Sequence, residues 1–439
     1  MPEPVNIIIT VNSPGEVAGW LKPAVKAIKA LAFPTSITVV IPPCTFASGG
    51  EIGVVRSLPE VDRAFGPRQF IRYILFGGSL PGFKPGPTGL VLFLGGDLTY
   101  AMLLSKRLNY PAIAYTEGLA TWTHSFARFA TPYPKMGERI LARGVPERQL
   151  RVIGNLMLDA IRPRMTGAQV RQALGIGARP LLLMMPGSRP AHFEYMIPFL
   201  LQVAEDARKT IPDLAIAFSI STFITEQHLK NLNGPFAKLF GQPSEYIPGQ
   251  ALEDGVADDC ATSGAGRGTT GFIKTKDGTL IPAWRGCQYE LMAAANVAIS
   301  LPGTNTFELA ACGIPMIVVV VLNYPERIPL EGIAGIIGNI PVIGREFKRR
   351  LLPKILAKVK YTAWPNRLAQ AYVVPEIHGV VSTEAVSAEV VRLLSDSGEH
   401  RKMVERLKSM VGDSGAADRL AQLVREVLQE KYGTLTIED

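Results

Sequence analysis

The chain has 439 residues, 47% hydrophobic and 19% charged, with a formal net charge of +8; high apolar content with modest charge excludes a largely disordered protein, and the length suits two or three domains of roughly 100–200 residues. Its four cysteines, Cys44, Cys260, Cys287 and Cys312, are scattered and include no C-x-x-C pair, which excludes a disulfide framework and fits a reducing compartment. The longest apolar run, Ile314–Leu322 broken by Pro315, is far short of the roughly 20 residues of a membrane span, and Met1-Pro2-Glu3-Pro4 has no basic n-region of a signal peptide, so a cytoplasmic protein is expected.

The first 115 residues alternate apolar runs with helical patterns. Val5–Val11, Ser36–Ile41, Leu90–Leu94 and Ala112–Tyr115 read as buried strands. Leu21–Leu31, with Lys22, Lys26 and Lys29 outward, and Tyr100–Leu108 read as helices. A second series begins near Arg179: strands at Pro180–Met185, Leu214–Ser219, Val297–Leu301 and Met316–Leu322, and helices at Tyr195–Thr210, Thr225–Leu232 and Thr304–Cys312. Such alternation predicts parallel sheets. Two series joined by the Arg-rich stretch 162–179 predict an α/β protein of two doubly wound domains facing a cleft, with ligands outside the carboxyl ends of the strands. Segment 253–285 interrupts the second series. In it Lys276-Asp277-Gly278 is a hairpin signal, read as an inserted β-hairpin on a flexible loop, either decorative or a lid. From Thr383 on, the patterns Val386–Leu394, Arg401–Met410 and Ala416–Tyr432 are helical with charged faces.

Candidate chemistry gathers where strands end. Asn12-Ser13-Pro14-Gly15-Glu16-Val17-Ala18-Gly19-Trp20 is a glycine-containing loop between a strand and a helix, but its spacing is not that of a dinucleotide fingerprint; Glu16 suits a helix N-terminus whether or not it has another task. In Gly95-Gly96-Asp97, Asp97 is placed to cap the next helix or to take a proton from an attacking hydroxyl. Pro186-Gly187-Ser188-Arg189 can grip an oxyanion, with arginine supplying paired donors. Ser300-Leu301-Pro302-Gly303-Thr304-Asn305-Thr306-Phe307-Glu308 opens a helix with Asn305 and Glu308 spaced as N-cap and N3; its free backbone N–H groups suit a diphosphate, and Glu308, one turn in, can reach ribose hydroxyls.

The five histidines form no zinc motif, and no D-x-D, Walker A or G-x-S-x-G sequence occurs, which disfavours a metal-held diphosphate, a P-loop and a hydrolase triad. Basic charge concentrates in Arg345–Lys360, where seven basic residues meet one acid. Phe347, Leu351, Leu352, Ile355, Leu356 and Val359 recur there at helical spacing. A basic, apolar-striped segment of this kind, with Lys348, Arg349, Arg350, Lys354 and Lys358, reads as a contact with an anionic membrane surface, or more plainly as a solvated basic face. The rest of the chain is near neutral and carries no nucleic-acid motif, so no nucleic-acid partner is expected.

Taken in order, these segments resemble the lipid-A-disaccharide synthase family. The residues carrying the resemblance are Ser13–Gly19, Gly95–Asp97, Val152-Ile153-Gly154-Asn155-Leu156-Met157-Leu158-Asp159, Leu183–Arg189, Pro302–Glu308 with Pro315-Met316-Ile317-Val318, and Pro365-Asn366-Arg367-Leu368-Ala369 with Val374-Pro375-Glu376. The resemblance implies the GT-B fold, with an acceptor-side Rossmann-like domain at 1–170, a nucleotide-sugar-binding Rossmann-like domain at 178–380 and C-terminal helices at 383–435 packing back on the first domain. It implies an inverting hexosyltransferase that moves a sugar from a UDP-sugar (UDP-GlcNAc-like) to a lipid-linked hydroxyl, without metal or other cofactor, at the inner face of a membrane.

Asp97 is then the base, with Glu16 in its place if Asp97 serves only as a cap. Ser13, Gly15 and Gly19 form the acceptor-side loop. Gly187, Ser188, Arg189, Gly303, Thr304, Asn305, Thr306, Glu308, Asn366 and Glu376 form the donor side. Asn155-Leu156 and the 253–285 segment depart from the family pattern, which leaves the acceptor open. A UDP-sugar 2-epimerase-like enzyme and a non-catalytic, membrane-associated nucleotide-sugar-binding protein are the alternatives.

Overall fold

A computed structural model describes residues 3–43, 50–77, 79–251, 269–321 and 359–433. The basic stretch with Lys348, Arg349, Arg350, Lys354 and Lys358, and the first part of the 253–285 segment, lie outside the described residues. The chain divides into two compact units, Met1–Ala160 with Gly412–Asp439, and Ile161–Val411.

The first unit is built on seven strands: β1 (Val5–Thr10), β2 (Thr35–Val40), β3 (Arg63–Phe65), β4 (Gly89–Phe93), β5 (Ala112–Tyr115), β6 (Arg128–Thr131) and β7 (Leu150–Val152). Their order in the sheet is β3-β2-β1-β4-β5-β6-β7, and every pairing is parallel. Strands covered on both faces read as continuous apolar runs rather than alternating ones, and each residue of β1, β4 and β5 is buried. The order reverses between β1 and β4, the switch point where open parallel sheets take ligands.

The second unit adds β8 (Leu181–Met185), β9 (Ala215–Ile220), β10 (Glu245–Ala251), β11 (Thr269–Lys274), β12 (Leu280–Arg285), β13 (Val297–Ser300), β14 (Met316–Val321) and β15 (Glu376–Gly379). The sheet order is β10-β11-β12-β9-β8-β13-β14-β15. From β12 to β15 it is parallel, with the reversal between β8 and β13. The two sheets therefore repeat one plan, with β8 and β13 standing where β1 and β4 stand.

Two expectations change. The hairpin around Lys276-Asp277-Gly278 forms, with Gly278 at φ +84° and its N–H bonded to Thr275. It is not a loop decoration, because β12 pairs in parallel with β9 while β10 and β11 extend the sheet antiparallel. The alternating Ile281 and Ala283, buried on the core side, give the hairpin an apolar face that a free lid lacks.

The terminal helices also part company. Thr383–Ser395 packs on the helix Pro190–Arg208, and Ser397–Val411 on Asn305–Ala311, both within the second unit. Of these helices, Ala416–Tyr432 alone lies in the first, against Lys22–Lys29. Glycines Gly412 and Gly415, at φ +81° and +89°, turn the chain between them. There Asp159 accepts the N–H groups of Gly415 at 2.6 Å and Ala417 at 2.7 Å, and Arg419 Nε donates to the Ile153 carbonyl at 2.7 Å.

Candidate functional site

In the first unit, the loops after β1 and β4 meet. What reads in sequence as a loop from Asn12 to Trp20 is mostly helix. Ser13 caps a turn at Pro14–Glu16 with Pro14 at its first position, and a π-helical turn, Val17–Leu21, leads into Lys22–Lys29. The cause is a capping box: Ser13 Oγ accepts the Glu16 N–H at 3.4 Å, and Glu16 Oε2 accepts the N–H groups of Asn12 and Ser13 at 3.1 Å each. The Glu16 carboxylate lies flat against Gly95, where a Cβ would stand 2.0 Å from Oε2, so any larger residue at 95 displaces it. Burial raises the Glu16 pKa against the lowering effect of the two backbone donors, and the charge of Glu117 raises it further.

Asp97 stands exposed on the second of these loops, as N-cap of Leu98–Leu108, with Oδ1 accepting the Thr99 N–H at 2.8 Å. The capping reading of Asp97 is thus met by one oxygen, and the residue faces solvent. Gly19 packs against Met157, whose Cγ would lie 2.7 Å from an added Cβ, so it is a packing position; Gly15 lies inside the capped turn.

Glu117, two residues past β5, joins the group through its charge on Glu16, Tyr115 and Tyr133. Its place at a third strand end was the one signal for it in sequence. An open groove of about 650 Å³ runs beside the carboxyl ends of β2 and β3, lined by Pro43, Pro67, Arg68, Ile71 and Arg72.

In the second unit the same construction recurs. Gly187, at φ +93°, leaves room for Leu301, whose Cδ1 would be 2.9 Å from a Cβ there, so the loops after β8 and β13 touch. Arg189 is the N-cap position of the 19-residue helix Pro190–Arg208, which no side chain caps. Beside it, burial and the Arg189 charge push His192 down to about 4, leaving a neutral imidazole. Pro302, Gly303 and Thr304 are exposed.

The helix after β13 differs from expectation: Thr304, not Asn305, is the N-cap, and no side chain caps it. Thr306 Oγ1 donates to the Gly303 carbonyl at 2.8 Å and accepts the Trp364 N–H at 2.9 Å, which sets the turn one residue earlier. Glu308 is buried and accepts the Tyr289 hydroxyl on Oε1 at 2.9 Å; burial pushes its pKa up to about 7.

Asn366 and Glu376, expected on the donor side, hold each other instead. Asn366 is fully buried; its Oδ1 accepts the Val373 and Val374 N–H groups, and its Nδ2 donates to Val374 O and Glu376 Oε1. Glu376 also accepts from Thr362, Ala363 and His378, and these donors hold its pKa below the usual carboxylate value despite burial. These hydrogen bonds tie the two residues into the segment 362–378. Among the described residues, no cluster of three or more His, Cys, Asp or Glu could hold a metal, and no helix is long and apolar enough to cross a membrane.

A family model described as lipid-A-disaccharide synthetase matches residues 147–242. Lipid-A-disaccharide synthase of Geobacter metallireducens is 22% identical over 293 residues, covering 66% of this chain and 59% of that protein. The Syntrophotalea carbinolica protein of the same name is 21% identical over 407 residues, covering 90% and 85%. The chain spans 59%, 58% and 52% of the length of the first three curated relatives it matches.

Among solved structures, the Staphylococcus aureus MnaA–UDP complex superposes with a TM-score of 0.56 at 12% identity over 99% of this chain and 100% of that one. The Neisseria meningitidis UDP-GlcNAc 2-epimerase bound to UDP-GlcNAc gives 0.51 at 13% over 97% and 100%. In sequence the chain is similar to the lipid-A-disaccharide synthase family, and in fold, with its two Rossmann-like sheets, to GT-B-type enzymes of UDP-sugars.

Proposed function

We propose that the chain is an inverting glycosyltransferase that moves a sugar from a UDP-sugar, of the UDP-GlcNAc type, to a hydroxyl of a lipid-linked acceptor at a membrane surface, with no metal in the reaction. The observation that carries the reading is the similarity to a lipid-A-disaccharide synthase over 407 residues, 90% of this chain.

The reading gives the acceptor to the first unit and the donor to the second. Asp97 takes the proton of the acceptor hydroxyl as its oxygen attacks the anomeric carbon, and the bond to the UDP oxygen breaks on the opposite face, inverting the centre. Arg189 and the uncapped start of Pro190–Arg208 meet the departing diphosphate, the charge that preorganised donors stabilise most. The neutral His192 beside Arg189 adds no charge there and can still donate or accept one hydrogen bond. The groove along Ile71, with Arg68 and Arg72 on its wall, suits an acceptor that carries an apolar chain and an anionic group. The basic segment at 345–358 supports the membrane part of the reading through its composition alone.

The test is Asp97→Asn. Asparagine caps a helix as well as aspartate, so the fold is kept, while loss of the base lowers kcat by roughly 10²–10⁴-fold. UDP affinity, measured by calorimetry, stays unchanged. Full turnover with a lipid-extract acceptor in this variant removes the assignment.

A second reading, a UDP-sugar 2-epimerase, is favoured by the neighbouring carboxylates Glu16 and Glu117, which could serve as base and acid on one carbon. Isomerised donor in assays without acceptor selects it.

A further inference from the structure

We propose that Tyr289 is a positioning residue for nucleotide binding, holding the Glu308 carboxylate turned so that its second oxygen receives the ribose hydroxyls of the donor. The inference rests on the reading of the second unit as a uridine-nucleotide site. Glu308 lies on the first turn of the helix Asn305–Ala311, directly after the switch-point strand β13. A glutamate there turns about three side-chain bonds, the last of which sets the carboxylate plane, and its use depends on which way the group faces. Tyr289, on the separate helix Gln288–Ala294, places its hydroxyl 2.9 Å from Oε1. Among the described residues it is the one side chain that donates to this carboxylate. Bound to a phenol on one side, Glu308 keeps Oε2 for a ligand, and a vicinal diol presents two donors to it.

The surroundings make the contact count. Glu308 is 5% exposed and Thr306 beside it 0%, and a charge-assisted hydrogen bond gains strength where water is excluded. The titratable neighbours are Tyr289 from its helix and Cys312 one turn along Glu308's own helix. The packed helix Ser397–Val411 brings Lys408 against Gly313, past the helix's far end. Trp364, from the remaining neighbour, reaches Thr306 through its N–H. Tyr289 supplies the donor that favours the ionised form.

The experiment is calorimetric titration of UDP and of 2′,3′-dideoxy-UDP into the whole protein and its Tyr289→Phe variant between pH 5 and 9. The dideoxy nucleotide carries the same phosphates and cancels their titration. The wild type binds UDP more tightly as pH rises through about 7 and binds dideoxy-UDP without that rise. Tyr289→Phe weakens UDP about tenfold at pH 7, moves the midpoint upward, and leaves dideoxy-UDP unchanged.

Glu308→Gln loses the pH rise and is insensitive to adding Tyr289→Phe; thermal melting establishes that each variant is folded. If UDP binds the wild type and the Tyr289→Phe profile coincides with it, the positioning role is overturned while the nucleotide reading stands. Equal weakening of UDP and dideoxy-UDP also overturns it, as a purely structural effect. If UDP does not bind the wild type at all, the nucleotide reading fails and takes this inference with it.

Discussion

A carboxylic acid closed off from water ionises late, and Glu308 does so near neutrality, at about 7. The unfolded chain releases that proton near 4.5. Between these values the folded protein holds a proton that the unfolded one has lost, so the group's contribution to stability is complete below about 4.5. It declines as pH rises and is gone above about 7. A shift of this size corresponds to something on the order of 3 kcal/mol. Glu308→Gln has no such proton, so its stability relative to wild type rises between pH 5 and 8, read from urea midpoints at each pH; a difference that does not change with pH contradicts this. Opposite in kind is Glu376, whose donors lower its pKa. The two carboxylates stand in one unit; among the described residues one is built into the scaffold by five donors and the other has one.

At the scale of elements, the meeting of loops after paired strands matters more than any single loop. Gly95 exists because the Glu16 carboxylate lies where its side chain would be. Gly95→Ala therefore has to break the Ser13–Glu16 capping box or push β4 away. Overpacking of that kind costs about 1–3 kcal/mol, visible as a lower thermal midpoint, and turnover falls with it because Asp97 rides on the same loop. An unaltered midpoint would show that the two loops yield freely.

The strands were legible because β1, β4, β5, β8, β13 and β14 are apolar runs, buried residue after residue. The capped turn and π-helical turn at 14–21 were not, because Pro14 and Gly15 carry ordinary turn signals and the deciding bonds run from Glu16 back to Asn12 and Ser13. The hairpin's turn was legible in Asp277-Gly278, but its pairing with β9 was not. That pairing is a contact between segments about sixty residues apart, which local pattern does not encode. Among the candidate residues, Glu16, Asp97, Arg189 and Glu308 stand at switch points as their strand-end positions implied. The mutual locking of Asn366 and Glu376 is a purely tertiary fact, and so is the approach of Tyr289 to Glu308.

At the scale of the whole molecule, the first unit is made from both ends of the described chain. The fastening is Asp159, whose two oxygens accept from Gly415 and Ala417. At the other end of the helix Ala416–Tyr432, Arg128 pairs with Glu430, and the Tyr432 hydroxyl donates to the Gly89 carbonyl at 3.1 Å. Asp159→Ala removes two charge-assisted bonds and leaves two N–H groups poorly paired, a loss of about 3 kcal/mol. Hydrogen exchange measures it as faster exchange in 416–432 and in the helix Lys22–Lys29, with the strands of the second unit unchanged. Uniform loosening of both units would count against a local fastening.

The way the chain leaves the first unit at Ile161 and rejoins it at Gly412 also sets an order of events during synthesis. Domains commonly fold as they emerge, the earlier one first. Here all of residues 161–411, a unit of their own, are made before the helix that covers Lys22–Lys29. The unit made first is therefore completed last, and its exposed helix face waits through the translation of some 250 further residues, an interval in which a chaperone has something to hold.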